Sequence, residues 1–284
     1  MSSITDVYSP RTTFRCTRLR GAKVGSSVCQ FCAVGCSQLG FFKDGKLIDV
    51  EGDPRSAVNE GRLCPKGSST YALNDNPYRK VKPMYRAPGS DHWEEVTLDW
   101  MLDTVAKRIW DTRNKGFVEK DPATGITVNN CANIGFIGGS ANDNEECYLF
   151  RKLFTGGLGI LPVENSARYC HSTTVAALSP TFGFGACTNP PRDLLNSDCI
   201  LIMGSNMAEA HPCAFYWPMQ AKKKGAVTIH VDPRYTRTSA ACDHHVHIRP
   251  ETDIAFLSAV IRYILEKGLW FKEYVLAYTC LLYT

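Results

Sequence analysis

Four cysteines in the first quarter of the chain have a spacing that suits an inorganic cluster. Cys29, Cys32 and Cys36 lie within eight residues, and Cys64 follows after 27 more residues, at the start of a Cys-Pro-Lys-Gly sequence. Four thiolates are the usual ligands of a [4Fe–4S] cluster. Zinc also accepts four thiolates, but its common signature is two Cys-x2-Cys pairs, and this sequence has one. The spacing therefore favours the cluster and leaves zinc as the alternative.

A second group of reactive side chains lies near the middle of the chain. Cys170 is followed by His171, and Arg168 precedes the cysteine by two residues. A thiolate beside a cation and a side chain that carries protons is suited to chemistry rather than to packing. The alternative is a half-buried structural pair in a loop, which is the commoner meaning of an isolated Cys-His pair.

Polar residues also follow the predicted strands of the second half of the chain, at the points where those strands end. Ligands of parallel α/β sheets bind at the carboxyl ends of the strands. A carboxylate there can accept a ribose hydroxyl or the amide edge of a guanine, and backbone N–H groups at a helix start suit a pyrophosphate. The candidate residues are Gly204, Asn206, Glu209, Asp232, Arg234, Thr236, Thr252 and Asp253. The sequence contains no Gly-x-Gly-x-x-Gly, so an ordinary NAD site is not supported.

The elements that would position these residues alternate between strand and helix from residue 132 onward. Apolar runs bounded by glycine or polar turns predict strands at 133–139, 199–203, 226–231 and 246–248. Two of these strands begin 27 residues apart, which is the length of a βαβ unit and predicts a parallel sheet. Helices are predicted over 97–110, 144–154 and 252–267. Thr97 is the predicted cap of the first helix, and Thr252 is the predicted cap of the third.

The region around the four cysteines has a different texture. Residues 39–51 predict a β-hairpin around a Lys-Asp-Gly-Lys turn, which would return Cys64 toward the other three thiols. A connector rich in Pro, Asn and Asp follows at 75–95. We therefore predict an N-terminal arm at 1–24, a cluster domain at 25–80 and an α/β domain at 81–279.

Composition narrows the classes of protein. The 284 residues are 44% hydrophobic and 21% charged, which is typical of a globular protein, and a net charge of +4 does not argue for a nucleic-acid partner. No apolar run is long enough to span a bilayer, and the basic N-terminus has no Arg-Arg pair, so we expect a cytoplasmic protein, with a periplasmic one only if a signal is missing from this sequence.

The number of cysteines indicates how they are used. Thirteen cysteines are an odd number, which argues against a disulfide framework and for metal ligands plus ordinary buried thiols. Eight cysteines show no ligand spacing and are expected to be small buried residues. These are Cys16, Cys131, Cys147, Cys187, Cys199, Cys213, Cys242 and Cys280.

Two stretches resemble a known family. The cysteine spacing, with Glu-Gly-Asp-Pro at 51–54 and Gly-Arg-Leu-Cys-Pro-Lys-Gly at 61–67, resembles the N-terminal domain of the molybdopterin oxidoreductases. Residues 163–174 resemble the active-site segment of their formate dehydrogenase catalytic subunits. The resemblance covers about residues 24–279. It implies a small β-rich [4Fe–4S] domain followed by a parallel-sheet α/β molybdopterin-binding domain, of the formate dehydrogenase and DMSO reductase type, in a truncated form.

The resemblance also implies cofactors and residue roles. The cofactors would be a [4Fe–4S] cluster and a bis(molybdopterin guanine dinucleotide) with molybdenum or tungsten. Cys170, at a position that holds cysteine or selenocysteine in the family, would ligate the metal, and His171 would move a proton or orient the substrate. Lys66 would lie between pterin and cluster. Asn144, Arg168 and the strand-end residues named above would contact the cofactor.

The implied reaction is the reversible oxidation of formate to CO2, with two electrons passing through the pterin, Lys66 and the cluster. The implied partners are an iron–sulfur electron-transfer subunit and a subunit that reduces quinone at a membrane or reduces NAD. Three alternatives remain: another molybdopterin oxidoreductase such as nitrate reductase, a non-catalytic iron–sulfur subunit, and a zinc-stapled binding module. The Cys170–His171 pair favours formate oxidation over the first two.

The resemblance stops at residues 280–284, Cys-Leu-Leu-Tyr-Thr, which are similar to a translated adapter sequence from library preparation. We therefore expect a non-native tail on an N-terminal fragment. The alternative is a genuine short paralogue, which is disfavoured because half of a cofactor site would expose apolar surface to water. The resemblance implies that later parts of the family supply the other pterin contacts and the arginine that binds formate. We therefore expect this chain alone to hold no stable pterin cofactor and to oxidise no formate.

Overall fold

The computed structural model describes residues 2–3 and 18–279. These residues form two compact units that alternate along the chain. The first contains the chain up to Cys32, Gln38–Glu51 and Pro65–Asn189, and the second contains Ala33–Ser37, Gly52–Cys64 and the chain from Pro190 onward. The predicted domain boundaries at residues 24 and 80 stay predictions. Most of the predicted arm and the whole predicted tail lie outside the described residues.

A four-stranded sheet holds a small apolar core in the first unit. Its strands, in sheet order, are β1 Ser2–Ser3, β2 Lys23–Val28, β3 Ser37–Lys43 and β4 Lys46–Gly52. The predicted hairpin is confirmed, because β3 and β4 are neighbours joined by the two residues Asp44 and Gly45. Both have positive φ, 49° and 78°, the conformation that two-residue hairpin turns favour. The core consists of Leu19, Ala22, Val24, Leu39 and Phe41.

Short elements lie before and within the predicted connector at 75–95. Helices α1 Pro65–Ser68 and α2 Thr70–Asn74 precede an antiparallel pair, β5 Met84–Tyr85 and β6 Glu94–Glu95. Helix α3 then spans Leu98–Gly116. The predicted cap is confirmed, since the Thr97 hydroxyl oxygen accepts a hydrogen bond from the Trp100 backbone N–H (3.2 Å). The antiparallel strands β7 Phe117–Lys120 and β8 Thr127–Cys131 follow.

The last part of the first unit is a β-α-β-α segment. Its elements are β9 Phe136–Gly138, α4 Asn144–Arg151, a π-helix at Lys152–Gly157, β10 Val163–Asn165 and α5 Ser166–Phe182. Strands β9 and β10 are parallel. The predicted strand at 133–139 is shorter in the structure, because β10 pairs only with Phe136–Gly138. The idea of a Cys-His loop is wrong, because Cys170 and His171 lie on α5.

The second unit contains a three-stranded parallel sheet in the order β11-β12-β13. A 3-10 helix at Pro191–Asn196 precedes it. The elements in chain order are β11 Cys199–Met203, α6 Met207–Ala210, α7 Pro212–Lys223, β12 Val227–Val231, α8 Arg237–Ala241, β13 His244–Val246, α9 Asp253–Glu266 and α10 Lys272–Tyr278. The predicted parallel α/β arrangement is therefore confirmed. The core beside the sheet consists of Ile200, Ile202, Phe215, Ala221 and Ala226.

Two details of this unit correct the predictions. Strand β13 lies two residues earlier than expected, because the backbone of His244–Val246 is the part that pairs with β12. Thr252 precedes α9 as predicted, but its side chain does not cap the helix. The hydroxyl instead donates to the Arg249 carbonyl oxygen (2.6 Å).

A tight backbone contact shapes the segment that leads to Cys64. A Cβ atom placed on Gly52 would lie 2.4 Å from the carbonyl oxygen of Gly61, a separation that real Cβ atoms do not show. The two glycines therefore allow the chain to double back on itself in the second unit.

The cysteines outside the predicted cluster differ in burial. Within the described part of the chain, no cysteine forms a disulfide, and Cys131 and Cys213 are buried as expected. The expectation is wrong for Cys187 and Cys199, which are exposed. No helix among residues 18–279 is both long enough and apolar enough to cross a membrane.

Candidate functional site

The carboxyl ends of β9 and β10 form one polar edge, in the first unit. Helix α4 begins after β9, and α5 begins directly after β10. The Asn165 side-chain amide donates to the Gly139 carbonyl oxygen (2.8 Å), which joins the two strand exits. A cavity of about 190 Å³ lies at this edge. Its polar lining includes Asn142, Arg151, Glu164 and Asn165.

Cys170 lies on α5 with its side chain exposed, and His171 beside it is exposed as well. Arg168 forms an ion pair with Glu164, with 3.4 Å between Nε and the carboxylate oxygen. Residues two apart on an α-helix are about 200° apart around its axis. The structure therefore brings Cys170 and His171 to neighbouring positions and directs the Arg168 guanidinium away from the thiol.

Asn144 is the first residue of α4 and is exposed. The helix start is fixed by its neighbours, because the Glu146 carboxylate accepts from the Asp143 backbone N–H (3.1 Å) and from the Asn142 amide (3.1 Å). Asn144 itself is thus presented at the same strand edge as the start of α5.

The second polar edge lies at the carboxyl ends of β11 and β12, within the second unit. Asn206 donates through its amide to Glu209, which also pairs with Arg237 at 3.3 Å. The Thr238 hydroxyl donates to Asn206 Oδ1 (3.0 Å) and accepts from the Ala208 backbone N–H (3.0 Å). Thr238 is completely buried. It therefore fixes the loop after β11 to the start of α8.

A buried histidine makes a second link between the same two segments. The His230 Nε2–H donates to the Ser205 carbonyl oxygen (3.1 Å), and its Nδ1 accepts from the Ser239 hydroxyl (2.7 Å). This assignment follows because a carbonyl oxygen can only accept. Ser239 in turn accepts from the Thr236 backbone N–H (2.8 Å). Burial lowers the pKa of His230, so the imidazole is neutral.

Asp232 follows β12 and completes this edge. One carboxylate oxygen accepts from the Arg234 backbone N–H (2.8 Å), and the other lies 3.8 Å from His230 Nε2. The Asp232 carbonyl oxygen accepts from the imidazole of His245 (3.1 Å). The predicted residues that the structure gathers at this edge are Gly204, Asn206, Glu209, Asp232, Arg234 and Thr236.

Two predicted residues stand apart from this network. Thr252 and Asp253 begin α9, after β13, and Thr252 bonds to its own turn as described above. The sequence prediction also missed His230, Thr238 and Ser239. Its one available signal was a histidine inside the mostly apolar strand β12, which a buried imidazole with two partners explains.

None of the four predicted cluster ligands forms a disulfide. Cys29 and Cys32 belong to the first unit, and Cys36 and Cys64 belong to the second. Cys29 and Cys36 are buried, and the other two are partly exposed. Over the described residues, no three His, Cys, Asp or Glu side chains meet the spacing of a metal-ion site. The donor chemistry fits an iron–sulfur cluster, since four thiols and no competing disulfide are present.

Lys66 is the second residue of α1 and has an exposed side chain. It follows Cys64 by two residues. A cation in this position can offset the negative charge of a thiolate-ligated cluster.

Comparison with known protein families identifies the family of this chain. Residues 79–270 match the molybdopterin oxidoreductase family, and residues 22–76 match the molybdopterin oxidoreductase Fe4S4 domain. The chain belongs to the molybdopterin oxidoreductase family. All four cysteines lie in the Fe4S4 domain, and the two matches support a [4Fe–4S] cluster and a molybdopterin with molybdenum or tungsten. The zinc alternative is not supported.

The relatives of this family member include formate dehydrogenases. The chain is 52% identical over 260 residues to the formate dehydrogenase subunit alpha of Megalodesulfovibrio gigas, covering 91% of this chain and 26% of that protein. It is 42% identical over 261 residues to the formate dehydrogenase-O major subunit of Escherichia coli K12, covering 89% and 26%. The chain thus spans about a quarter of the length of these relatives.

A solved structure shows the same fold. Acetylene hydratase from Pelobacter acetylenicus has a TM-score of 0.69 and 22% sequence identity, covering 89% of this chain and 33% of that chain. At this identity the similarity concerns the fold alone.

Proposed function

We propose that this chain is part of the catalytic subunit of a molybdenum- or tungsten-dependent formate dehydrogenase, which oxidises formate reversibly to CO2. The observation that carries the proposal is the exposed Cys170–His171 pair at the start of α5, in a chain 52% identical to a formate dehydrogenase alpha subunit. The Cys170 thiol would be the protein ligand of the metal. The bound molybdopterin would supply the metal centre for two-electron chemistry.

The neighbouring residues of α5 can divide the work between ligation and proton handling. Successive helix residues are about 100° apart, so Cys170 and His171 serve adjacent sectors of the helix surface. The exposed imidazole can hold or release a proton near the thiol. The ion pair between Arg168 and Glu164 would keep the start of the helix in place against β10.

The second polar edge suits the guanine dinucleotide arms of the cofactor. Arg234 and Arg237 are exposed cations that fit a pyrophosphate, and the carboxylates of Asp232 and Glu209 can accept from a guanine or a ribose. The groups that hold these side chains in place, Thr238 and His230, are buried and fully bonded. The edge is therefore ordered before any cofactor binds, which lowers the entropy cost of binding.

The partners and the compartment are also proposals. A [4Fe–4S] domain needs an electron acceptor, so we propose an iron–sulfur electron-transfer subunit as partner, with formate and CO2 as the small molecules. That subunit would pass electrons to a membrane quinone-reducing or an NAD-reducing subunit. The eleven cysteines among the described residues form no disulfide, which supports a reducing compartment such as the cytoplasm. The small net charge supports no nucleic-acid partner.

The test uses the holoenzyme that contains this chain. We expect formate-dependent reduction of a viologen dye, together with molybdenum or tungsten in the metal analysis. Nitrate is offered to the reduced enzyme in a parallel assay. Turnover of nitrate without turnover of formate would contradict the proposal and favour a nitrate reductase.

A further inference from the structure

Asn59 is the most buried polar residue of the segment between Gly52 and Cys64, with 1% of its surface exposed. Burying a side-chain amide costs free energy unless its donors and acceptor are paired. Asn59 therefore requires partners, and the identity of those partners indicates what it does.

The Asn59 amide joins the backbone beside two of the predicted cluster ligands. Its Oδ1 accepts from the Ser37 backbone N–H (3.0 Å), and its Nδ2 donates to the carbonyl oxygens of Ser37 (3.0 Å) and Arg62 (2.8 Å). Ser37 directly follows Cys36, and Arg62 precedes Cys64 by two residues. One buried side chain thus connects the chain next to the third thiol with the chain next to the fourth.

The backbone on either side of this amide is also fixed. The Asp53 N–H donates to the Ser37 carbonyl oxygen (3.0 Å), and the Gly61 N–H donates to the Asp53 carbonyl oxygen (3.0 Å). Together with the contact between Gly52 and Gly61, these bonds leave the segment little freedom to change its path.

Helix α7 makes further contacts with the same segment. The indole N–H of Trp217 donates to the Val58 carbonyl oxygen (3.1 Å), and the Cys213 thiol donates to the Arg62 carbonyl oxygen (3.7 Å). The Arg62 guanidinium lies 3.7 Å from the centre of the Tyr216 ring. Asn59 therefore links a segment that is bonded to α7 with the backbone beside Cys36, as the only side chain that bonds both Ser37 and Arg62 among the described residues.

We propose that Asn59 is a positioning residue that sets the separation of Cys36 and Cys64 for the iron–sulfur cluster. A cluster binds best to thiols that are already held near their final places, and residues behind the ligands commonly change metal affinity roughly 10–100-fold. Asn59 acts through the backbone beside the ligands and does not itself touch the cluster. The proposal depends on the cluster and not on formate oxidation.

The experiment compares four variants of this chain after anaerobic reconstitution with iron and sulfide. Asn59→Ala removes all three bonds, and Asn59→Asp keeps the size and the acceptor for Ser37 while losing the two donated bonds. Asn74→Ala is the matched control, since Asn74 is exposed and lies in the same Fe4S4 domain. Cys64→Ala shows the effect of losing one ligand outright. The measurements are iron and sulfide per folded chain, the EPR spectra, the midpoint potential of the cluster and thermal unfolding by circular dichroism.

We expect the parent chain and Asn74→Ala to hold the complete cluster. Asn59→Ala should bind iron roughly 10–100-fold more weakly and should show the EPR signal of a three-iron cluster, as Cys64→Ala does, because one ligand is out of place. Asn59→Asp should bind iron more weakly than the parent chain and more tightly than Asn59→Ala, and it should shift the midpoint potential of the cluster. A purely structural role would lower the unfolding temperature without a three-iron signal or a shifted potential.

Two results would overturn the proposal. One is a complete cluster with the parent EPR spectrum and potential in both folded Asn59 variants. The other is failure of the parent chain to take up a cluster at all, which would remove the ligand assignment itself. Loss of formate turnover in the holoenzyme with an intact cluster would count against the proposed activity and leave this inference standing.

Discussion

The two polar edges of the molecule are built from the same element, parallel strands followed by helices, yet they hold their side chains differently. At the edge of β11 and β12, Thr238 and His230 are completely buried and bonded to both adjoining segments. At the edge of β9 and β10, Cys170 and His171 are exposed on α5. Buried, hydrogen-bonded side chains hold the edge of β11 and β12 in place. The edge of β9 and β10 instead presents an exposed thiol and an exposed imidazole.

This difference teaches that binding and reactivity make separate demands on a strand edge. A dinucleotide arm is recognised by many weak contacts, so the groups that hold it benefit from a rigid, fully bonded support. A metal ligand and a proton carrier must instead be accessible. We therefore expect substitutions at the two edges to differ in their effects. Those at the edge of β9 and β10 should lower activity, and those at the edge of β11 and β12 should lower stability.

The largest effect is expected from Cys170→Ala. Removing the proposed metal ligand should abolish formate oxidation by the holoenzyme, while the free energy of unfolding should change by less than about 0.5 kcal/mol, because the side chain is exposed. Steady-state dye reduction and urea unfolding measure the two quantities. Cys187→Ala, also exposed, is the control and should keep its turnover. Near-normal formate turnover by Cys170→Ala would contradict the proposed role of the edge of β9 and β10 in activity.

His171→Ala should have the next largest effect. Loss of a general acid or base lowers turnover roughly 10²–10⁴-fold, and the pH–rate profile should lose one limb. The exposed His244 supplies the control, His244→Ala, which should keep the parent profile. An unchanged pH–rate profile in His171→Ala would show that the imidazole has no role in proton handling.

Thr238→Val tests the other edge with a side chain of similar shape. It leaves Asn206 Oδ1 and the Ala208 N–H without their partner, so the free energy of unfolding should fall by about 1–3 kcal/mol. The control is Thr174→Val on the exposed surface of α5, which should stay within about 0.5 kcal/mol. Equal changes in the free energy of unfolding for the two substitutions would mean that the buried hydrogen bonds of Thr238 add no measurable stability.

The smallest effect is a pH dependence. The folded pKa of His230 is lowered, chiefly by burial, although the Ser205 carbonyl and Asp232 act in the opposite direction and His245 acts in the same direction. The unfolded chain therefore binds the proton more readily. The contribution of the neutral imidazole should be complete above the ordinary histidine pKa of about 6.5 and should be lost as the pH falls below it.

Unfolding measured across this pH range, in the parent and in His230→Gln, isolates the contribution. The parent should lose more stability on acidification than the variant does. His244→Gln, in which the altered histidine is exposed, should follow the parent. An identical pH dependence in parent and His230→Gln would show that His230 keeps its proton affinity on folding.

The sequence was sufficient where a pattern of residue types controls the structure. Strand β11 was predicted to the residue, because Cys199–Met203 is an apolar run closed by a glycine. Strand β13 was displaced in the prediction, because His244 and His245 do not look like strand residues and their conformation comes from pairing with β12. Strand β10 was not predicted, since three residues give no period and need β9 as a partner.

The candidate site shows the same limit. Residue spacing and the resemblance to the family singled out the cysteines of the Fe4S4 domain and Cys170 as candidates, and their roles stay predictions. Asn59 and Thr238 were not singled out, because an asparagine in a turn and a threonine in a short helix have the same local pattern whether they are exposed or buried. Their roles depend on partners more than 20 residues away, Ser37 for the one and Asn206 for the other. Arg168 pairs with Glu164, four residues earlier and on strand β10, and this local pairing was not predicted.

The contact between Gly52 and Gly61 has a consequence for how this sequence can diverge. Since any side chain at position 52 would collide with a carbonyl oxygen of the main chain, no rotamer of a neighbour can relieve the clash. A saturation library at this codon should yield glycine alone among folded survivors. Gly45, whose Cβ would meet open space, should accept asparagine or aspartate despite its positive φ. Of two glycines at either end of one strand, selection would thus hold one invariant and let the other drift.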